Sequence, residues 1–310
     1  MSSQQLRAVI AAAADTLAQA GIDSARNDAE LLDAHAAGAE RGRLLLEQIT
    51  PDFLERFDRV ITERAKRVPL QHITGTAAFG PAQLEVGPGV FIPRPETEAL
   101  LEWALAQELP KRPLIVDLCT GSGALAVALA AQLPGARVIG VDDDPAALEY
   151  ARRNAAMTTV RLVRGDVADP RLLTELAGTV DLVVANPPYL ACGAVLDPEV
   201  ARHDPAHALF GGDDGMAVIA PVVNRASDWL RPGGLLAVEH DDTASAACVA
   251  MVEAVSIPGS LRSCPQVPVP GSLRSCPPVG AFTEVTAHRD LTGRPRFVTA
   301  RRAPIPRQSR

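Results

Sequence analysis

Between Pro113 and Glu239 the chain alternates short apolar runs with amphipathic stretches, and no other feature restricts its fold as strongly. Leu114–Leu118, Arg137–Val141, Val160–Val163, Val180–Ala185 and Leu235–Glu239 read as strands, and stretches 123–132, 145–156, 169–177 and 216–230 have helical spacing. Strands that are apolar on both sides must be covered on both faces. That requirement, with helices in every connection, predicts an α/β fold: a parallel sheet with helices on both faces. Phe282–Ala287 and Arg296–Ala300 are candidates for two antiparallel edge strands.

The N-terminal part has a different pattern. Leu6, Val9, Ile10, Ala13 and Leu17 repeat at helical spacing, Ser24 is placed to cap a second helix with Leu31 and Leu32, and Pro51 opens a third through Leu54, Phe57, Val60 and Ile61. Residues 69–92 break into short extended runs punctuated by Gly75, Gly80, Pro81, Gly87, Pro88 and Gly89, as a β-hairpin linker would. The expected organisation is a helical substrate-recognition domain over 1–68, a hairpin linker over 69–92 and a catalytic domain over 93–310. Within the last, Pro-Gly-Ser-Leu-Arg-Ser-Cys-Pro occurs twice, at 258–265 and 270–277. Stacked solenoids need about three repeats or more, so 256–279 reads as a tandem duplication forming a disordered, Pro-rich surface loop.

Composition excludes several classes. Of the 310 residues, 47% are hydrophobic, too many for a disordered chain, and no run of about 18 uncharged apolar residues offers a membrane span. Arg7 and Asp15 interrupt the first 17 residues, so no secretory signal is read there. Five cysteines, at 119, 192, 248, 264 and 276, form no CxxC pair, and a reduced, cytoplasmic compartment is expected. Residues 256–310 carry a local charge of +7, which leaves −14 on the rest of a chain whose net charge is −7. An acidic body argues against a sequence-independent grip on nucleic-acid phosphates.

Two motifs carry chemistry. The strand ending at Leu118 runs into Cys119-Thr-Gly-Ser-Gly123 and directly into a helix, with Asp117 near the strand's end and Asp142 nineteen residues beyond Gly123. Glycines allow a sharp turn and close approach to a ligand, the helix offers unpaired N–H groups, and a carboxylate at 142 suits ribose hydroxyls. The same spacing also satisfies a dinucleotide-binding fingerprint. After the fourth strand comes Asn186-Pro-Pro-Tyr189. Two prolines stiffen the backbone, so the Asn side chain and adjacent carbonyls become fixed acceptors beside an aromatic face, the parts needed to hold a planar amide or amino group. His240 is a candidate base or a packing residue; His72, His203 and His207 show no metal spacing, and no metal is assigned.

Together with Pro93-Arg-Pro-Glu-Thr-Glu98, Leu70-Gln-His-Ile-Thr-Gly75 and Gly211-Gly-Asp-Asp-Gly215, these motifs resemble the S-adenosylmethionine-dependent methyltransferases that modify the glutamine N5 of peptide chain release factors. The likeness spans nearly the whole chain. It implies a Rossmann-like class I methyltransferase sheet, S-adenosyl-L-methionine as cofactor, and a release factor as protein partner, with the methyl group going to the glutamine of a Gly-Gly-Gln motif. It further implies that Asp117, Cys119, Thr120, Gly121, Ser122, Gly123, Asp142, Asp166, Val167 and Asn186 bind the cofactor. Asn186, Pro187, Pro188 and Tyr189 would bind the substrate, with Asn186, Pro187 and Tyr189 catalytic. Cys119 and Val167 depart from the family's usual glycine and aromatic. Arg94 and Glu96 line the cleft or fix the linker, and Thr97 or Glu98 begins the next helix. A monomer with no direct nucleic-acid substrate is expected. Other readings are an adenine-N6 methyltransferase, for which the nine Lys/Arg against eleven Asp/Glu in residues 1–67 offer no basic surface, an NAD-dependent oxidoreductase, and a non-catalytic cofactor-binding adaptor.

Overall fold

The computed structural model describes residues 3–39, 51–256 and 280–304. The tandem Pro-rich segments, and their reading as a disordered loop, lie outside the described residues. Two compact units form, and neither is continuous in sequence: Met1–Ala77 with Glu85–Ile92 and Val195–Asp204, and Ala78–Leu84 with Pro93–Ala194 and Pro205–Arg310.

In the first unit, α1 (Ser3–Gln19), α2 (Ala25–Ala37) and α3 (Pro51–Ala65) bury one apolar stripe each. Leu6, Ile10, Ala13 and Leu17 meet Ala29, Leu32, Phe53, Phe57 and Ile61, with the two phenylalanine rings stacked 5.8 Å apart. Ser24 stands before α2 but does not cap it; its hydroxyl donates instead to Asp28 Oδ1 at 2.8 Å. The other Asp28 oxygen accepts from the buried Arg64, whose guanidinium also donates to the Val68 carbonyl and pairs with Glu199 at 2.9 Å. Glu199 lies on the short helix α8 (Pro198–His203), which the sequence pattern did not show. A further short helix, α4 (Leu70–Thr74), precedes the hairpin β1 (Thr76–Phe79) and β2 (Ala82–Glu85).

The second unit is built on β3 (Leu114–Leu118), β4 (Arg137–Asp142), β5 (Arg161–Arg164), β6 (Val180–Ala185), β7 (Leu230–Glu239), β8 (Phe282–Arg289) and β9 (Pro295–Arg302). The sheet order is β5-β4-β3-β6-β7-β9-β8, parallel from β5 to β7 and antiparallel at β9 and β8. Period-2 alternation divides each central strand between two cores. Val116, Leu118, Val183, Ala185, Leu236 and Val238 face one side, where they meet Val222, Ala226 and Trp229 of α9 (Ile219–Trp229) and Cys248 and Val252 of α10 (Ser245–Ala254). Ile115, Val138, Leu182, Val184 and Ala237 face the other, against α5 (Glu98–Leu105) and α6 (Ala124–Gln132). The helix α7 (Pro145–Ala155) follows β4.

The helix expected at 169–177 does not form, and only the 3-10 turn Thr174–Leu176 is present there. Asp169 turns its carboxylate onto the Arg171 N–H, Pro170 intervenes, and Leu173 adopts a left-handed φ of 43°, each of which competes with helix continuation. No helix among the described residues is long and apolar enough to cross a membrane.

Breaking a buried ion pair by removing one partner leaves an uncompensated charge, and Arg64 serves two acids. Arg64→Ala should destabilise the first unit by about 3–5 kcal/mol, measured as loss of denaturant stability.

Candidate active site

Strand register brings the functional segments to one edge of the sheet. Leu118 pairs with Ala185, and Ala185 with Val238, so the loop from Cys119, Asn186 and Glu239 each begin one residue past a row of three neighbours. This edge is the carboxyl end of the parallel strands, and the chain order reverses between β3 and β6, where open α/β sheets place their ligands.

The loop is held by two carboxylates. Asp117 Oδ2 accepts from the Thr120 hydroxyl at 2.5 Å and the Ala126 N–H at 3.1 Å, tying the turn to the first residues of α6, while Oδ1 is buried without a partner among the described residues. Asp142 accepts from the Gly121 N–H at 2.8 Å and, through its other oxygen, from the Asp144 N–H at 3.0 Å. Each Asp142 oxygen keeps acceptor capacity for a further donor. Cys119, Gly121 and Gly123 all have positive φ, of 57°, 56° and 85°. Gly140 on β4 is a condition of this closure, since a Cβ there would approach Thr120 Oγ1 to 2.9 Å. Asn154 donates to the Ser122 carbonyl at 2.8 Å.

Burial pushes Asp117 up to about 7 and raises Asp142 as well. The Cys119 thiol is pushed well above its usual range, first by burial and then by Asp142, Asp117, Asp143 and Asp166, so it stays protonated. Asp144 caps α7 through the Ala146 N–H at 2.8 Å, and Asp143 meets His207 Nε2 at 2.8 Å. Asp166 is exposed, its carboxylate taken by the Ala168 N–H, and Val167 is buried within the core.

At the end of β6, Asn186 is half-buried and its Nδ2 donates to Thr97 Oγ1 at 3.1 Å. Thr97, expected only to begin a helix, lies before α5 without capping it and is 3% exposed. Pro187 is buried, Pro188 and Tyr189 are half-buried, and the Tyr189 hydroxyl donates to Glu239 Oε1 at 3.1 Å. Burial pushes Glu239 up to about 7 against the Thr97 hydroxyl, Arg296 and Tyr189, with Glu96 adding to the rise. His240 Nδ1 lies 2.8 Å from the Asp241 carbonyl and, as its donor, leaves Nε2 buried and unpartnered among the described residues. Burial lowers the pKa of this ring.

The motif rests on Gly211–Gly215. Leu190 N–H donates to the Leu209 carbonyl and Gly211 N–H to the Leu190 carbonyl, both at 2.9 Å. A Cβ at Gly211 would lie 2.5 Å from the Pro188 carbonyl oxygen, and one at Gly215 would overlap that of Tyr189.

Residues 8–75 match the family described as PrmC N-terminal domain, and residues 95–203 the methyltransferase small domain. The release factor glutamine methyltransferase of Mycolicibacterium smegmatis is 60% identical over 96% of this chain and 98% of its own length. The enzyme of that name from Mycobacterium tuberculosis is 58% identical over 96% of this chain and 91% of its own. This chain belongs to the release factor glutamine methyltransferase family. It is a methyltransferase, with a wound, largely parallel sheet and a helical N-terminal domain.

For this release factor glutamine methyltransferase family member, Thr97 and Glu239 are the residues bonded to Asn186 and Tyr189 of the candidate site that the sequence pattern did not single out. The Pro93–Glu98 motif signalled the first, since its specificity exceeds what a helix start requires. Nothing in the sequence distinguished Glu239 from any polar residue ending a strand.

Two expectations follow. The folded protein binds protons on Asp117 and Glu239 at higher pH than the unfolded chain, whose carboxyls titrate at 3.8 and 4.5, so stability should fall as pH rises from about 4 to 7. Glu239→Gln should remove about 3 kcal/mol of that fall in urea titrations across this range. Gly215→Ala, at φ 77°, should displace Tyr189 and lower methyl transfer about tenfold or more with cofactor affinity unchanged, as read by calorimetry and transfer assays.

Proposed function

We propose that this protein uses S-adenosyl-L-methionine to methylate the side-chain amide nitrogen of the glutamine in the Gly-Gly-Gln motif of a peptide chain release factor. The observation that carries the reading is Asn186: its Nδ2 is occupied by Thr97, and no hydrogen bond among the described residues engages its Oδ1, which leaves a carbonyl acceptor at the ligand-binding edge of the sheet.

The loop fits the cofactor on chemical grounds. Four carboxylates raise the Cys119 thiol, so the loop lies in a negative potential. That field suits a ligand bearing an ammonium and a sulfonium, and opposes the pyrophosphate of a dinucleotide. Residues Asp117 and Cys119 to Gly123 would hold the methionine part, Asp142 the ribose hydroxyls, and Asp166 and Val167 would lie toward the adenine. Val167 is largely taken up by the core it fills.

S-adenosylmethionine supplies an electrophilic methyl group on sulfur. The chain's own task is orientation, because the lone pair of an amide nitrogen is delocalised into its carbonyl and makes a poor nucleophile. Asn186 Oδ1 and the Pro187 carbonyl accept the two N–H bonds of the glutamine amide, and the Pro187-Pro188 pair keeps that carbonyl from turning. Tyr189 flanks the amide plane. The acceptors bind more strongly as positive charge develops on nitrogen, so they stabilise the transition state more than the bound substrate. Transfer would form the N–CH3 bond as the S–CH3 bond breaks, leaving a neutral thioether, and the excess N–H proton on the cationic nitrogen would pass to solvent water. The helical unit is the surface we assign to the release factor, since a glutamine on a protein loop needs more recognition area than one pocket provides.

Incubating the protein with labelled S-adenosylmethionine and a release factor, or its Gln→Ala variant at Gly-Gly-Gln, tests this. Label should appear only on the former, and Asn186→Ala should abolish it while changing cofactor affinity by less than about tenfold. Equal labelling of both factors, or full activity of the Asn186 variant, refutes the assignment.

A further inference from the structure

Two arms of the site run back to one buried carboxylate. Asn186 donates to Thr97 Oγ1, and the Thr97 hydroxyl lies close enough to Glu239 to favour its charged form. Tyr189 donates directly to Glu239 Oε1. Glu239 is 1% exposed, its Oε2 has no hydrogen bond among the described residues, and on the Asn186 arm the group that favours its charged form is the Thr97 hydroxyl.

An ionised carboxylate accepts and never donates. A hydroxyl beside it therefore directs its proton inward and keeps its oxygen for the next donor. The amide of Asn186 must then offer Thr97 its NH2, and what it has left for a ligand is its carbonyl oxygen. The same rule empties Tyr189 of its only proton. Hydrogen-bond direction along both arms is thus decided at their buried end.

We propose that Glu239 is a positioning residue that sets the hydrogen-bond polarity of Asn186, through Thr97, and of Tyr189, so that the site presents acceptors only and selects a primary amide, with two N–H donors, over a carboxylate. The proposal rests on the glutamine reading above and extends it to discrimination between glutamine and glutamate. A site built to accept N–H bonds rejects an analogue lacking them, because its own buried polar groups are then left unpaired.

The groups facing Glu239 are Thr97 and Glu96 from the 3-10 turn Pro95–Thr97, Tyr189 from the motif, and Arg296 from β9, itself held by Asp290 at 3.1 Å. His240 follows it in the chain. Arg296 and Thr97 favour the charged carboxylate while burial and Glu96 oppose it, which leaves the group close to 7. Protonated Glu239 can donate, and a proton pointing outward along either arm reverses its polarity. Methyl transfer should therefore rise with pH through this range.

Glu239→Gln is the test, because it keeps shape and volume but replaces an acceptor by an NH2 donor. The variant should bind S-adenosylmethionine within about threefold of the parent, unfold at a temperature no lower than the parent's, and lose about a hundredfold in kcat. Its rate should no longer rise between about pH 6 and 8, whereas the parent's does. In parallel, Thr97→Val should lose activity and Thr97→Ser recover most of what the valine loses. A Glu239→Gln enzyme with near-parent kcat and an unchanged pH profile overturns the proposal, as do equal rates for the two Thr97 variants if the Glu239→Gln protein does not fold. Either result leaves the glutamine assignment standing; a parent protein that fails to label the release factor overturns that assignment instead.

Discussion

The register of three parallel strands is the constraint on which the rest depends. With Leu118, Ala185 and Val238 side by side, a glycine-containing loop, an asparagine and a glutamate leave the sheet together. The strands are buried on both faces, so a slip of one residue would exchange two apolar cores rather than merely turn a side chain to solvent. Register is therefore specified by nearly every residue of the central strands, and the site inherits that precision without relying on its loops for it.

Electrostatics completes what register begins. Asp117 and Asp142 secure the loop by accepting from its backbone and its Thr120 hydroxyl, and the same carboxylates make its surroundings negative. On the proposed reading, a structural fastening and a preference for a cationic ligand come from one pair of side chains. Their burial disfavours the charged forms, which the protein tolerates at the place where that charge has a use.

Much of this was legible in the sequence because it follows from short-range pattern. Leu114–Leu118 and Val180–Ala185 form strands at the expected residues, since runs apolar on both sides have no alternative in a wound sheet. The helix expected at 169–177 failed because Asp169 and Pro170 favour a turn more strongly than the apolar spacing of Leu172, Leu173 and Leu176 favours a helix. α10 was not anticipated: Ser245–Ala254 is nearly all small or apolar, with little periodic contrast to mark a face. The meeting of Thr97 with Glu239 was out of reach for another reason. They are separated by 142 positions in the chain and acquire their roles only by meeting around Asn186 and Tyr189.

The backbone between Tyr189 and Gly215 leaves and re-enters at one point. Leu190 is bonded to both Leu209 and Gly211, and the carbonyls of Pro188 and Tyr189 lie against the two glycines that close the excursion. A loop whose ends are fastened to each other transmits little of its own length to the residues outside it, and the entropy of closing it grows only slowly with added residues. Asn186 and its neighbours thereby keep their places whatever the path between those ends, while α8, within that path, is fixed to the first unit by Glu199 on Arg64.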